Sequence, residues 1–208
     1  MSRARSFIAI TAAMCLVAPA SAGAKQRTYD IVGGTTTVTL NDAWLSALWE
    51  EGGQIGASGG AKVVVIQPKG ASPIYKITLP VRRTRSAGIS YGTSQGTLGS
   101  VDHRGTLTIS SAQAGVALNF ERPGAQLTST TSYVGAMLRL PSGSGRTPFL
   151  RLGAPQIPNP RKGHVAIVVR DAIYDYTGAG AEWYLDGDDA MIKVPIGTVT
   201  MDLKVKRR

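Results

Sequence analysis

Gly96-Thr97-Leu98-Gly99-Ser100-Val101-Asp102-His103-Arg104-Gly105-Thr106-Leu107-Thr108-Ile109-Ser110 is the stretch on which the fold turns. Residues 96–101 and 105–110 combine β-branched side chains with alternating apolar positions, the pattern of strands with one buried face. Asp102-His103-Arg104 lies between them and reads as a turn, so the stretch is expected to form a β-hairpin.

Strand signals continue on both sides. Thr35-Thr36-Thr37-Val38-Thr39-Leu40 alternates, as does Ile74-Tyr75-Lys76-Ile77-Thr78-Leu79-Pro80-Val81. Lys62-Val63-Val64-Val65-Ile66 and residues 165–169 are near-continuous apolar runs, of the kind expected for strands buried on both faces. Val116-Ala117-Leu118-Asn119-Phe120 and Ala125-Gln126-Leu127-Thr128-Ser129 read as two strands split by a turn at Pro123-Gly124. Residues 133–140, 147–152 and 192–205 complete the set, with surface loops expected at 141–145 and 155–163. One helix is expected. Asn41 caps it, Asp42 suits its positive end and Gly52-Gly53 stops it. Trp44, Leu45, Leu48 and Trp49 form one face that plugs one end of the core. Many short strands, one helix and 25 glycines predict an all-β fold, an antiparallel β-sandwich or flattened barrel with one short helix near the N-terminus.

The first 22 residues read as a secretion signal. Arg3 and Arg5 make a basic start, Phe7 to Val17 is an apolar run too short to span a bilayer, and Ala20-Ser21-Ala22 is a small-x-small cleavage site. Residues 1–22 are therefore expected to be removed near Ala22. Residues 23–208 are expected to work as a single β-sandwich domain, secreted or associated with the cell wall. Cys15, the only cysteine, leaves with the signal, so core burial and not disulfides must hold the domain together. No later run approaches the length of a transmembrane helix. The formal net charge of +10 falls to +8 when Arg3 and Arg5 leave with the signal, and still suits anionic surfaces such as a cell-wall polymer. Export argues against nucleic acid as a partner. A surface protein is the other partner expected.

Few residues point to chemistry. Gly88-Ile89-Ser90-Tyr91-Gly92 matches the G-x-S-x-G nucleophile elbow, but that motif needs a following helix and Thr93-Ser94-Gln95-Gly96-Thr97 will not make one. Ser90 reads as part of a strand in a glycine-rich hairpin. Asp186-Gly187-Asp188-Asp189 resembles part of a calcium loop without the closing glutamate, and reads as a solvated acidic turn. His103 and His164 have no ligand partner at metal-binding spacing. Neither a catalytic residue nor a metal site is expected. Arg82-Arg83, Arg85, Arg161-Lys162, Lys204, Lys206, Arg207 and Arg208 can form one basic face, or simply solvate their loops. Tyr174, Tyr176, Trp183 and Tyr184 form an aromatic group suited to stacking on sugars, although core packing is the commoner use of such residues.

The Val101-Asp102-His103-Arg104-Gly105-Thr106-Leu107 segment, the early tryptophan-bearing helix and the later strands resemble the HtaA-type haem-transport-associated domain of secreted and surface proteins of Gram-positive actinobacteria. The similarity spans most of the chain from about Thr35. His103 matches a histidine that supports haem binding in that family. In haem-binding members a tyrosine at the end of the first helix supplies the axial oxygen; here Leu45-Ser46-Ala47-Leu48-Trp49-Glu50-Glu51 contains none. The resemblance implies the fold, with haem as cofactor through His103. Three functions follow. The first is a secreted, non-catalytic binding or cell-surface module with an unassigned ligand. The alternative is a haem-binding or haem-relay protein using His103. The last is a serine esterase using Ser90 with His103 or His164. The first is expected.

Overall fold

Thr36, Val38 and Leu40 all face inward, as strict alternation requires of a strand with one wet face. The structure, a computed structural model, describes residues 26–50, 52–93, 96–111, 116–140, 143–174 and 195–208. Twelve strands and one helix follow in the order β1 (Arg27–Leu40), α1 (Asp42–Glu50), β2 (Gly53–Ser58), β3 (Lys62–Ile66), β4 (Ile74–Arg82), β5 (Gly88–Thr93), β6 (Gly96–His103), β7 (Thr106–Ser111), β8 (Val116–Leu127), β9 (Ser132–Leu140), β10 (Gly143–Gly153), β11 (His164–Tyr174) and β12 (Pro195–Arg207). The secretion signal with Cys15, the acidic 186–189 segment, Tyr176, Trp183 and Tyr184 lie outside the described residues.

All twelve strands join one antiparallel sheet that curls on itself into a flattened barrel. β1 pairs with β12 along most of its length. Its other edge is shared between β5, opposite residues 27–30, and β4, opposite residues 35–39. β6 takes up the far edges of β5 and β4 and pairs with β8. From β8 the chain of pairings through β9, β10, β11 and β12 returns to β1. The enclosed core is aliphatic, with Ile31, Val101, Leu127, Ile167, Val199 and Leu203 among its buried members. Closing the sheet removes most free edges; β2 and β3 remain as its ends.

The helix forms as expected. The Asn41 side-chain oxygen accepts the Ala43 N–H at 2.8 Å, and the Leu45 N–H bonds the Asn41 carbonyl at 3.0 Å. Trp44, Leu45 and Leu48 are buried against the end of the barrel. Trp49 departs from the expected face: it is 47% exposed, with its ring edge-on to Tyr75 at 5.2 Å.

The pairing of the middle strands differs from the sequence expectation. β6 and β7 are not a hairpin. Both lie along the same edge of β8, which pairs through residues 116–121 with β7 and through residues 124–127 with β6. β6 and β7 are thus one long strand, bent at Gly105 (φ +95°). Likewise Pro123-Gly124 is no turn. β8 runs straight through it as one strand with a bulge, where Arg122 has φ +46° and the register slips between Glu121 and Gly124. Phe120 and Ala125 both face the core, so the bulge supplies the extra residue that resets the alternation. Proline is tolerated there because a bulged residue owes no ladder hydrogen bond.

Two burial expectations are also corrected. β3 is an end strand with β4 as its partner, and Val65 is 52% exposed; its apolar run is not buried on both faces. In β11, Val165, Ile167 and Val169 face the core while Val168 is 53% exposed, because a barrel wall has only one inner side. The predicted loop over 141–145 is shorter, since β10 already pairs Gly143 with Leu140.

Two glycines let β1 and β12 close. A Cβ on Gly34 (φ +127°) would enter the Asp202 carbonyl, and one on Gly197 (φ +144°) the Thr39 carbonyl. Only glycine adopts these angles without strain. Gly197→Ala is expected to lower unfolding stability in urea by at least about 2 kcal/mol. Gly145→Ala, where a Cβ meets nothing, is expected to stay within about 0.5 kcal/mol.

Candidate functional site: a buried histidine pin and an arginine cleft

His103 does not sit in a turn. It is the last residue of β6, at the bend into β7, and is 1% exposed. The alternation Val101, His103, Leu107, Ile109 points all four inward; read through Gly105, it is the signal that places the histidine in the core. Both ring nitrogens are engaged. Nδ1 lies 3.1 Å from the Pro123 carbonyl, and Nε2 lies 2.7 Å from Thr36 Oγ1. A carbonyl only accepts, so Nδ1 carries the proton and donates it; Nε2 then accepts from the Thr36 hydroxyl. The imidazole therefore ties β6 to the β8 bulge on one side and to β1 on the other.

Burial pushes the His103 pKa down from 6.5 to about 4, against smaller opposing contributions from the Pro123 hydrogen bond and Asp102. The ring stays neutral at neutral pH. The residues present do not fit an axial ligand in this arrangement. An iron at Nε2 would have to displace the Thr36 hydroxyl, and the ring is 1% exposed. Neither Leu48 nor Trp49, near the end of α1, can ligate iron. A phenol is nonetheless adjacent: Tyr75 of β4, brought there by the Trp49 contact. Sequence reading along the helix does not find it, because it arrives from another strand.

Ser90 lies within β5, and the chain passes to β6 with no helix after it, as its sequence context implies. Its hydroxyl meets Thr28 Oγ1 at 3.2 Å. His103 is committed to Thr36 and Pro123, and His164 lies 3.6 Å from Asp202 on the surface. Neither histidine is placed to activate Ser90. Among the described residues no cluster of three or more metal-ligating side chains occurs, and no helix is long and apolar enough to cross a membrane.

Basic residues do converge. An open cleft of about 490 Å³ is lined by Asp30, Ile31, Arg83, Thr84, Arg85 and Arg208. It joins the loop after β4 to the end of β12, so the Arg83, Arg85 and Arg208 groups, far apart in sequence, share one site. Arg208 Nε bonds Asp30 Oδ1. Three arginines and one aspartate thus line the same cleft. The loop is pinned from outside the barrel. Thr84 donates to Asp102 Oδ2 and accepts the Ala87 N–H at 3.1 Å, and the Ala87 carbonyl takes the Ile31 N–H at 3.2 Å. Asp102 and Thr84, which hold the arginine loop, carry no sequence signal of their own. Exposed Lys204 and Lys206 extend the basic strip along β12; Lys204 pairs with His164, next to the Arg161-Lys162 turn, and Lys206 with Asp30.

No family model matches this chain, and no curated protein matches it. Among solved structures, the C-terminal domain of HtaA from Corynebacterium glutamicum aligns with a TM-score of 0.53 and 9% identity, over 84% of this chain and 99% of that domain. The chain has the HtaA-type fold. The haem-binding protein HtaB of the same organism aligns over 88% of this chain and 96% of its own, at 14% identity and a TM-score of 0.49. At such identities the likeness to HtaA is one of fold, and site residues have to be argued from this chain alone.

The neutral His103 makes stability pH-dependent. Its folded pKa lies below the unfolded value, so between pH 6.5 and 4 the unfolded chain binds more protons. Its contribution is full above pH 6.5 and is lost as pH falls toward 4. Urea unfolding at pH 7 and pH 4.5 is expected to show about 2 kcal/mol more acid destabilisation in the wild type than in His103→Gln. Equal acid sensitivity in both would contradict the neutral-pin geometry.

Proposed function

We propose that this chain is a secreted, non-catalytic binding module of HtaA-like fold that acts at the cell surface, with the arginine cleft as its ligand-facing site. The convergence of Arg83, Arg85 and Arg208 on one open cleft carries the reading. Arginine presents a planar fork of donors matched to carboxylate and phosphate oxygens. Among the described residues, Arg83 and Arg85 have no acidic partner, so their donors remain available to an anion. The mature chain's net charge, +8 once Arg3 and Arg5 are lost from the full chain's +10, adds long-range attraction to an anionic cell-wall polymer. Inorganic polyphosphate is expected to bind the mature protein, with affinity falling steeply as salt rises. Arg83→Ala/Arg85→Ala is expected to weaken that binding at least about tenfold without lowering stability. Binding indifferent to salt, or to the double substitution, would remove the cleft from the function.

A second reading, haem binding or relay, is favoured by the HtaA-type fold and by the match of His103 to the family's histidine. It requires the Thr36 hydroxyl to leave Nε2, or Tyr75 beside α1 to serve in place of the missing helix tyrosine. Haemin titration followed in the visible range tests it. A saturable Soret band lost in His103→Ala or in Tyr75→Phe would establish haem and name its ligand. A spectrum identical to free haemin rejects the reading.

A further inference from the structure

Beside the arginine cleft, and sharing Arg208 and the adjoining Thr84–Ser86 loop with it, runs a second groove of about 300 Å³. Its lining includes Thr28, Ser90, Ser100, Gln126, Thr128 and Arg208. These residues come from five places in the sequence, and strand register brings them into line. Asp30 pairs with Gly88, Gly88 with Ser100, Ser100 with Gln126, and Gln126 with Tyr133. Directly paired residues point to the same side of a sheet. The row therefore crosses β1, β5, β6, β8 and β9 on the outer face, and from Gly88 to Tyr133 it spans three strand spacings, about 14 Å.

The chemistry along this row is specific. Gly88 makes a bare floor: a Cβ there would lie 2.9 Å from the Tyr29 carbonyl and 3.7 Å from the Arg208 guanidinium. Gln126 donates its amide to Ser100 Oγ at 3.2 Å, and Ser90 and Thr28 share a hydroxyl hydrogen bond. Each pair keeps further donor and acceptor capacity for a ligand. Tyr133, paired with Gln126 and 39% exposed, stands next in the row, one strand past the groove's lining, and offers a ring face. Cleft and groove together have guanidiniums at one end and hydroxyls and an amide along their length, with an aromatic side chain one strand beyond.

Resting on the arginine-cleft reading, we propose that the groove and cleft together bind an anionic glycan. Arg83, Arg85 and Arg208 take its carboxylate or phosphate groups, Ser100, Gln126, Ser90 and Thr28 exchange hydrogen bonds with its ring hydroxyls, and the Tyr133 ring packs on the apolar face of a sugar. Charge and sugar are read by different residues, and this separates the proposal from simple attraction to a polyanion.

The test is a titration of the mature protein with oligogalacturonate (carboxylated sugar), phosphomannan fragments (phosphorylated sugar), inorganic polyphosphate (charge without sugar) and dextran (sugar without charge). At least one anionic glycan is expected to bind more tightly, per charge, than polyphosphate. The better of the two identifies the anionic group. Tyr133→Ala and Gln126→Ala are each expected to weaken glycan binding about tenfold and to leave polyphosphate binding unchanged. Tyr133→Leu, which keeps an apolar side chain, is expected to behave as Tyr133→Ala if ring stacking is the cause. If polyphosphate binds as well as either glycan and the Tyr133 and Gln126 variants match the wild type, the glycan proposal is overturned while the arginine cleft stands. If no polyanion binds, both fall.

Discussion

One imidazole holds together the corner on which the barrel closes. His103 donates to the carbonyl of a bulged proline in β8 and accepts from a threonine hydroxyl in β1, so a single neutral side chain spans three strands that are remote in sequence. Buried polar groups are tolerable only when satisfied, and removing one partner strands the others. Thr36 is itself buried, and so is Pro123. Losing the imidazole would leave a buried hydroxyl and a buried carbonyl without their common partner. That mutual dependence accounts for a histidine in an otherwise aliphatic core.

The same corner organises the outer surface. His103 points in; its neighbour Asp102, by strand alternation, points out and takes the Thr84 hydroxyl. The loop carrying Arg83 and Arg85 is thus tied to the residue adjacent to the pin. The geometry that closes the barrel also sets two guanidiniums opposite Arg208 from the end of β12. Core and cleft are coupled through two consecutive residues of β6, one facing each way.

The fold is shared with HtaA, and the site features are read from this chain. The helix end carries a tryptophan against Tyr75, the histidine is committed to protein partners, and the polar outer row is built across five strands. A barrel wall has one inner face that must be apolar and one outer face free to vary, so a common core can carry unrelated surfaces.

Much of the architecture was legible along the chain. Period-two patterning marked most strands, and Asn41 with the Trp44, Leu45 and Leu48 face marked the helix, because these signals come from residues within one or two turns of each other. Other features were not local. Whether Val63, Val64 and Val65 are buried depends on β3 being the end of a sheet. Whether Pro123-Gly124 turns or bulges depends on whether β9 pairs across it. Whether 96–110 is a hairpin depends on β8 pairing with both of its halves. The basic residues could be counted from the sequence, but their meeting in one cleft, and the alignment of Ser100, Gln126 and Tyr133, could not. The sequence alone determined periodicity, capping and charge, which are properties of neighbouring residues. The tertiary structure alone decided edge, bulge, pin and site, because each is an agreement between strands far apart in the chain, and strand pairing is set by global closure and not by local preference.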